Sequence, residues 1–69
     1  MMDVCKGSII TLDDGNEYIV LRLKEISGVK YAYVQNIADE DDDGFVSIIR
    51  DNLKVITDME QMKYLFANI

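Results

Sequence analysis

Tyr-Ile-Val-Leu-Arg-Leu, residues 18–23, is the stretch of sequence that decides the fold. It consists mostly of β-branched, aromatic and aliphatic residues and contains neither glycine nor proline, a composition typical of a β-strand. Strand side chains alternate between the two faces of a sheet, so each face should carry three of them. They are Ile19, Leu21 and Leu23 on one face and Tyr18, Val20 and Arg22 on the other. Apolar residues on both faces favour an interior position, and we predict the central strand of a small curled sheet.

Turn-forming residues on both sides of this strand predict two tight hairpins. Asp13-Asp14-Gly15-Asn16 precedes it, and Gly15 can take the positive φ that such a turn needs. Ser27-Gly28 follows it as a second tight turn. The three strands around these turns are predicted at residues 8–12, 17–26 and 29–37.

The second half of the chain contains one long break. Residues 39–43 are five consecutive acids, which repel one another, so residues 38–44 are predicted to form a solvated, mobile loop. Two further strands are predicted at residues 45–49 and 53–56, with a tight turn at Arg50-Asp51-Asn52 between them.

The hydrophobic period then changes to that of a helix, predicted at about residues 58–68. Thr57 and Glu60 have the spacing of a capping box, and Asp58 is an alternative cap. The apolar residues at helical spacing are Met59, Met62, Phe66 and Ile69, with Leu65 beside them. This face must pack on the chain's own sheet or on a second copy. Intramolecular packing is preferred, with Phe66 as a buried anchor whose removal would cost roughly 3 kcal/mol or more.

Five short strands joined by tight turns predict an antiparallel meander within a single small domain of residues 1–69. Because several strands are apolar on both faces, we predict that the meander curls into a small SH3-like barrel. The fold class is therefore mainly β (α+β), with one C-terminal helix packed on the barrel. A flat antiparallel sheet with one face covered by the helix is the alternative.

The charge and the cysteine content of the chain indicate which kinds of partner and which cellular compartment to expect. The chain has 13 acidic and 7 basic residues, no histidine and a net charge of −6. Such a balance argues against direct binding of nucleic acid or of anionic membranes and favours a basic protein partner. Cys5 is the single cysteine, so no internal disulfide forms, and we predict that it is buried or half-buried. The sequence shows no signal peptide and no membrane-spanning apolar run, which predicts a cytoplasmic protein.

These motifs occur in a recognisable order along nearly the whole chain. They are Ile9–Leu12, Asp14–Tyr18, Val20-Leu21, Gly28, Tyr31, the acidic run, Val46–Arg50, Val55–Glu60 and Leu65-Phe66. This order resembles small acidic proteins of unknown function from low-GC Gram-positive bacteria and their mobile elements. Met59 and Met62 depart from the acid-rich helix start of those proteins. The family has no established activity, so the resemblance implies a small uncharacterised bacterial domain and assigns no site.

The acidic run has part of the pattern of a calcium-binding loop. Asp39, Asp41 and Asp43 followed by Gly44 match the first half of an EF-hand loop. Arg50 stands at the twelfth position, where that loop needs a bidentate glutamate. We therefore predict no ordered calcium site, and no other metal or cofactor.

The tyrosines form a second candidate site. Tyr31 and Tyr33 are predicted on one face of the third strand, with Tyr18 near them across the hairpin. In SH3-type barrels such aromatic rows line peptide grooves. The favoured alternative is that they line the edge of the core with their hydroxyls in water.

No histidine, nucleophile elbow, glycine-rich phosphate loop or metal-ligand cluster occurs in the sequence, so we predict that the protein is not an enzyme. The predicted function is a small acidic protein-interaction module, monomeric or weakly dimeric, with an unknown and basic protein partner. The candidate partner-binding residues are Tyr18, Tyr31, Tyr33, Asp39, Asp41 and Asp43. The alternative is a mobile-element regulator or inhibitor whose acids imitate a phosphate backbone and bind a nucleic-acid-handling protein.

Overall fold

A computed structural model describes residues 4–50 and 52–69 as a curled antiparallel sheet followed by one helix. The elements are β1 (Ile9–Thr11), β2 (Glu17–Ile26), β3 (Val29–Asn36), β4 (Asp39–Ile49), β5 (Asn52–Val55) and α1 (Met59–Asn68). The strands lie in the sheet in sequence order, each antiparallel to the next. The predicted fold, a mainly β half-barrel with a C-terminal helix, is confirmed.

The segment predicted as the central strand lies one strand away from the centre. Residues 18–23 belong to β2, whereas β3 is the middle strand. The β2–β3 register shifts between Val20 and Arg22, so Leu21 forms a bulge. An extra residue inverts the alternation beyond it, and Leu23 therefore packs against the same cluster as Val20. The predicted face assignment is wrong from the bulge onward.

The largest difference from the sequence prediction concerns the acidic run. Residues 39–43 begin β4, whereas a mobile loop was expected there. Asn36 pairs with Asp39 and Gln35 pairs with Asp43, so residues 40–42 are an irregularity within the ladder. The strand tolerates like charges because it lies at an exposed end of the sheet and because neutral side chains on neighbouring strands bind the carboxylates.

One side of the curled sheet, here called the inner face, holds the larger core cluster. Its buried members are Val4, Ile10, Leu12, Tyr18, Val20, Ala32, Val34, Val46 and Ile48. Leu53 on β5 packs against the same cluster. The first and last strands therefore contribute to one core although they do not neighbour each other in the sheet, which is the consequence of curling.

The opposite side, here called the outer face, packs against α1. Leu65 is fully buried there with Phe45 and Ile56. The helix thus packs on its own sheet. Phe66, the predicted anchor, is 64% exposed, so that prediction is wrong. The buried line of the helix is centred on Leu65, and Phe66 lies about 100° further round the helix axis.

Both ends of α1 have side-chain partners. The Asp58 Oδ1 atom accepts hydrogen bonds from the backbone N–H groups of Glu60 and Gln61, at 2.9 and 3.1 Å. Asp58 is therefore the N-cap, as in the alternative prediction, and Thr57 is not. At the other end the last turn contains no basic residue, but Lys24 Nζ on β2 donates to the backbone oxygen of Asn68 at 2.7 Å. A cation there complements the negative end of the helix dipole.

The predicted tight turns are present. Gly15 has φ +82°, and its N–H donates to the Leu12 carbonyl at 2.9 Å. Ser27 and Gly28 have φ values of +52° and +81°, the left-handed pair that a two-residue hairpin requires. In the turn from β4 to β5, Arg50 itself has φ +57°.

Two smaller predictions need correction or lie outside the described residues. Asn52, placed in a turn by its sequence, pairs with Ile49 as the first residue of β5. Asp51 of the same predicted turn lies outside the described residues. Cys5 is exposed rather than buried, because it precedes β1 in a turn where its N–H donates to Ser8 Oγ.

Candidate functional site

The acidic part of β4 presents carboxylates to both faces of the sheet. Asp42 lies toward the inner face, where its Oδ2 accepts hydrogen bonds from the Tyr18 hydroxyl at 2.8 Å and from Asn36 Nδ2 at 3.0 Å. Asp43 lies toward the outer face and accepts a hydrogen bond from the Tyr33 hydroxyl. These donors are neutral side chains, so both carboxylates are held in place without an ion pair.

The Tyr18 hydroxyl joins two carboxylates from different parts of the chain. Its oxygen is 2.8 Å from Asp14 Oδ2 in the β1–β2 turn and 2.8 Å from Asp42 Oδ2 on β4. The Tyr18 side chain is 5% exposed, so the link lies at the end of the inner core. It ties the first hairpin to the fourth strand.

This arrangement shifts two pKa values in opposite directions. The pKa of Tyr18 is raised, because Asp42 and then Asp14 accept hydrogen bonds that only the protonated hydroxyl can donate. The pKa of Asp14 is lowered, first by the hydrogen bond from the Asn16 backbone N–H and then by the Tyr18 hydroxyl. The surroundings therefore favour the neutral phenol of Tyr18 and the charged carboxylate of Asp14.

A groove of about 400 Å³ opens beside this link, between the β1–β2 hairpin and β5. Its floor is largely apolar and includes Leu12, Tyr18, Val34, Val46 and Val55. Four carboxylates stand at its rim: Asp13, Asp14, Asp42 and Asp43. We call this feature the acidic groove. Its chemistry suits a ligand that is positively charged and carries apolar side chains.

Aromatic side chains form a smaller depression on the outer face. Phe45 lies between Tyr33 and Phe66, with ring centroids 5.1 and 4.7 Å away. The depression has a volume of about 240 Å³, and Arg22 and Ile69 complete its wall. Arg22 Nη1 lies 3.4 Å from the backbone oxygen of Ile69, so this cation already faces the end of α1.

The structure separates the predicted partner-binding residues into three groups. Tyr18 and Asp43 line the acidic groove. Tyr31 and Tyr33 lie on the outer face, against the cluster that contains Leu65, so Tyr18 does not join them as predicted. Asp39 and Asp41 are exposed near the β3–β4 turn, where Asp39 Oδ1 accepts a hydrogen bond from the Asp41 N–H.

Several groove residues were not among the candidate partner-binding residues predicted from the sequence. Asp14 carried a local signal, because it stands four residues before Tyr18 across a tight turn. No local sequence pattern placed Asp42 near Tyr18, because the position of Asp42 depends on the β3–β4 register. Asp13 and Val55 meet at one groove only because the sheet curls.

The described part of the chain holds no group of three or more His, Cys, Asp or Glu side chains arranged to bind a metal ion. Asp39, Asp41 and Asp43, the half-match to an EF-hand loop, lie on a strand. Across residues 4–50 and 52–69, no helix has the length and apolar character needed to cross a bilayer.

Comparison with known proteins gives no relative: no family model, no curated protein and no solved structure matches this chain.

Proposed function

We propose that this protein is a non-catalytic interaction domain that binds a basic, partly apolar segment of another protein in the acidic groove. The observation that carries the proposal is the combination of an apolar floor with four carboxylates at its rim. Complementary charge attracts and orients the partner, and the apolar floor supplies buried area.

The hydrogen bonds of the rim support this proposal. The Tyr18 hydroxyl lies within hydrogen-bond distance of both Asp14 and Asp42 and can donate its one proton to either of them. Asp14 also accepts a hydrogen bond from the Asn16 N–H and Asp42 accepts one from Asn36 Nδ2, so both carboxylates are positioned before a partner arrives. Ordering side chains during association costs free energy, and a rim that is already ordered avoids part of that cost. The net charge of −6 adds long-range attraction for a basic partner.

A pair of matched variants tests the proposal. The probe is a seven-residue peptide of alternating lysine and valine, acetylated and amidated, titrated against the protein by NMR. Asp13→Asn removes one charge at the groove rim, and Asp41→Asn removes the same charge on β4 outside the groove. Since an exposed ion pair contributes up to about 1 kcal/mol, Asp13→Asn should weaken binding by about threefold to fivefold. Asp41→Asn should change it by less than about twofold, because Asp41 is exposed, does not line the groove and is screened by solvent and salt.

Two results would contradict the proposal. Absence of measurable binding by the peptide at low salt would show that the groove is not a site for basic segments. An equal loss in both variants would show that the acids act as a diffuse surface. That result would favour the alternative function, an inhibitor that imitates a phosphate backbone.

A further inference from the structure

We infer that the partner segment binds as an extended strand, hydrogen-bonded to the free edge of β5. This inference rests on the proposed function of the acidic groove and specifies its binding mode. The last strand of the sheet pairs with β4 on one side, and within residues 4–50 and 52–69 no strand pairs on its other side. An unpaired edge offers backbone donors and acceptors to an added strand.

The backbone groups at this free edge can be identified. The Ile56 N–H donates to the Phe45 carbonyl at 2.9 Å, and Ser47 Oγ, also on β4, lies 3.4 Å from the Lys54 carbonyl. The backbone of Lys54 and Ile56 therefore faces β4. Because successive backbone groups of a strand point to opposite sides, those of Leu53 and Val55 face away from it. These two residues carry the free donors and acceptors.

The same edge borders the acidic groove. Val55 lines the groove and is 48% exposed. It pairs with Val46, whose side chain belongs to the inner core, so Val55 faces inward. The inward side chains of an added strand would continue this face across the groove floor and reach the carboxylates on its rim. The edge of β5 thus offers backbone hydrogen bonds next to the acidic groove, whose carboxylates favour a positively charged ligand.

A second copy of this chain is a poor occupant of the edge. An antiparallel pairing that used Leu53 and Val55 of both copies would place Lys54 opposite Lys54. Like charges directly opposite each other destabilise a strand pair. Each copy also carries a net charge of −6. A basic extended peptide lacks this negative charge, and a register that places an uncharged residue such as valine opposite Lys54 avoids the repulsion between lysines.

Hydrogen exchange of single amides tests the pairing. With the lysine–valine peptide near saturation, the N–H groups of Leu53 and Val55 should exchange at least about tenfold more slowly, because each gains an acceptor. The N–H groups of Lys54 and Ile56 serve as internal controls. They already face β4 and should change little.

Two analogues of the peptide test the same geometry from the side of the ligand. One carries N-methyl groups on its valines and the other on its lysines, so each lacks alternate N–H donors. Pairing with one edge uses only one of these sets. One analogue should therefore lose about tenfold or more in affinity, and the other should stay within about threefold.

The outcomes separate this inference from the proposed function. If the peptide does not bind, the proposed function fails and the inference fails with it. If the peptide binds while Leu53 and Val55 exchange unchanged and both analogues bind equally well, strand addition is wrong but the groove remains a binding site. Equal loss for both analogues contradicts pairing with a single edge. Protection of Leu53 and Val55 before peptide is added, with a dimer in sedimentation, would assign the edge to a second copy.

Discussion

The two halves of β4 belong to one strand but are held by different forces. In the second half, Phe45, Val46 and Ile48 are buried in the two cores. In the first half, residues 39–41 are exposed, and Asp42 and Asp43 are fixed by hydrogen bonds from neutral side chains. The comparison shows how a strand can continue through a run of like charges when hydrogen bonds replace burial.

The difference also separates stability from recognition. Burial of apolar side chains is the main stabilising contribution to folding. The second half of β4, which contains Phe45, should therefore contribute more to the stability of the fold than the acidic half. The acidic half keeps its charges near the surface, where they are available to a partner. Substitutions in and around the two halves should therefore differ in the size and kind of their effects.

The largest effect is expected for Phe45→Ala, in the buried half. Phe45 is 1% exposed and contacts the cluster that contains Leu65. Emptying such a site costs about 3–5 kcal/mol. Because small domains have free energies of unfolding near the low end of 5–15 kcal/mol, the variant should retain only about 0–2 kcal/mol of stability. Urea unfolding followed by circular dichroism measures the loss of stability. A urea midpoint close to that of the unmodified protein would show that the apolar half of β4 does not contribute more stability than the acidic half.

A smaller effect is expected for Tyr18→Phe, which keeps the ring and removes the hydroxyl shared by Asp14 and Asp42. The urea midpoint should fall, by less than in Phe45→Ala. Amide exchange should become faster at residues 39–43 and remain unchanged at residues 45–48. Equal acceleration along the whole strand would show that its two halves are one unit.

The same variant has a signature at alkaline pH. The pKa of Tyr18 in the folded protein lies above its ordinary value of 10.0. Above pH 10 the unfolded chain releases this proton while the folded protein retains it, so stability is complete below that pH and falls as pH rises beyond it. Tyr33, bound to Asp43, has a raised pKa and contributes in the same direction. In Tyr18→Phe, the free energy of unfolding, measured by urea denaturation at several pH values above 10, should fall less steeply with pH than in the unmodified protein. An unchanged dependence on pH would show that Tyr18 is not its source.

The smallest effect is expected for Phe66→Ala. Phe66 is 64% exposed and makes an edge contact with Phe45 at 4.7 Å between centroids. Losing an exposed aromatic contact should cost about 1 kcal/mol or less. Leu65→Ala is the matched control on the same helix, and because Leu65 is fully buried it should cost about 2–5 kcal/mol. Thermal melting of the two variants would show whether the buried line of the helix has been identified.

The sequence was sufficient for those features that depend on near neighbours. The turns at Gly15 and Ser27-Gly28 follow from residues that tolerate positive φ, and the strands on either side follow from composition. The acidic strand was missed because its pairing depends on β3 and its hydrogen bonds on Tyr18, which is 24 residues from Asp42. The acidic groove was missed because it needs the curl that brings the first hairpin near β5.

The order of the strands in the sheet has a consequence for how fast the chain folds. Each strand pairs with the next one in the sequence, so the ladder can form hairpin by hairpin with short loops to close. Contacts of low sequence separation favour rapid folding. Contacts across most of the chain form later: the curl brings Ile10 and Leu53 into one core, and the docking of α1 brings Lys24 to Asn68. In stopped-flow refolding experiments, we therefore expect the sheet to form before the transition state. The helix should pack against Phe45 only after the transition state.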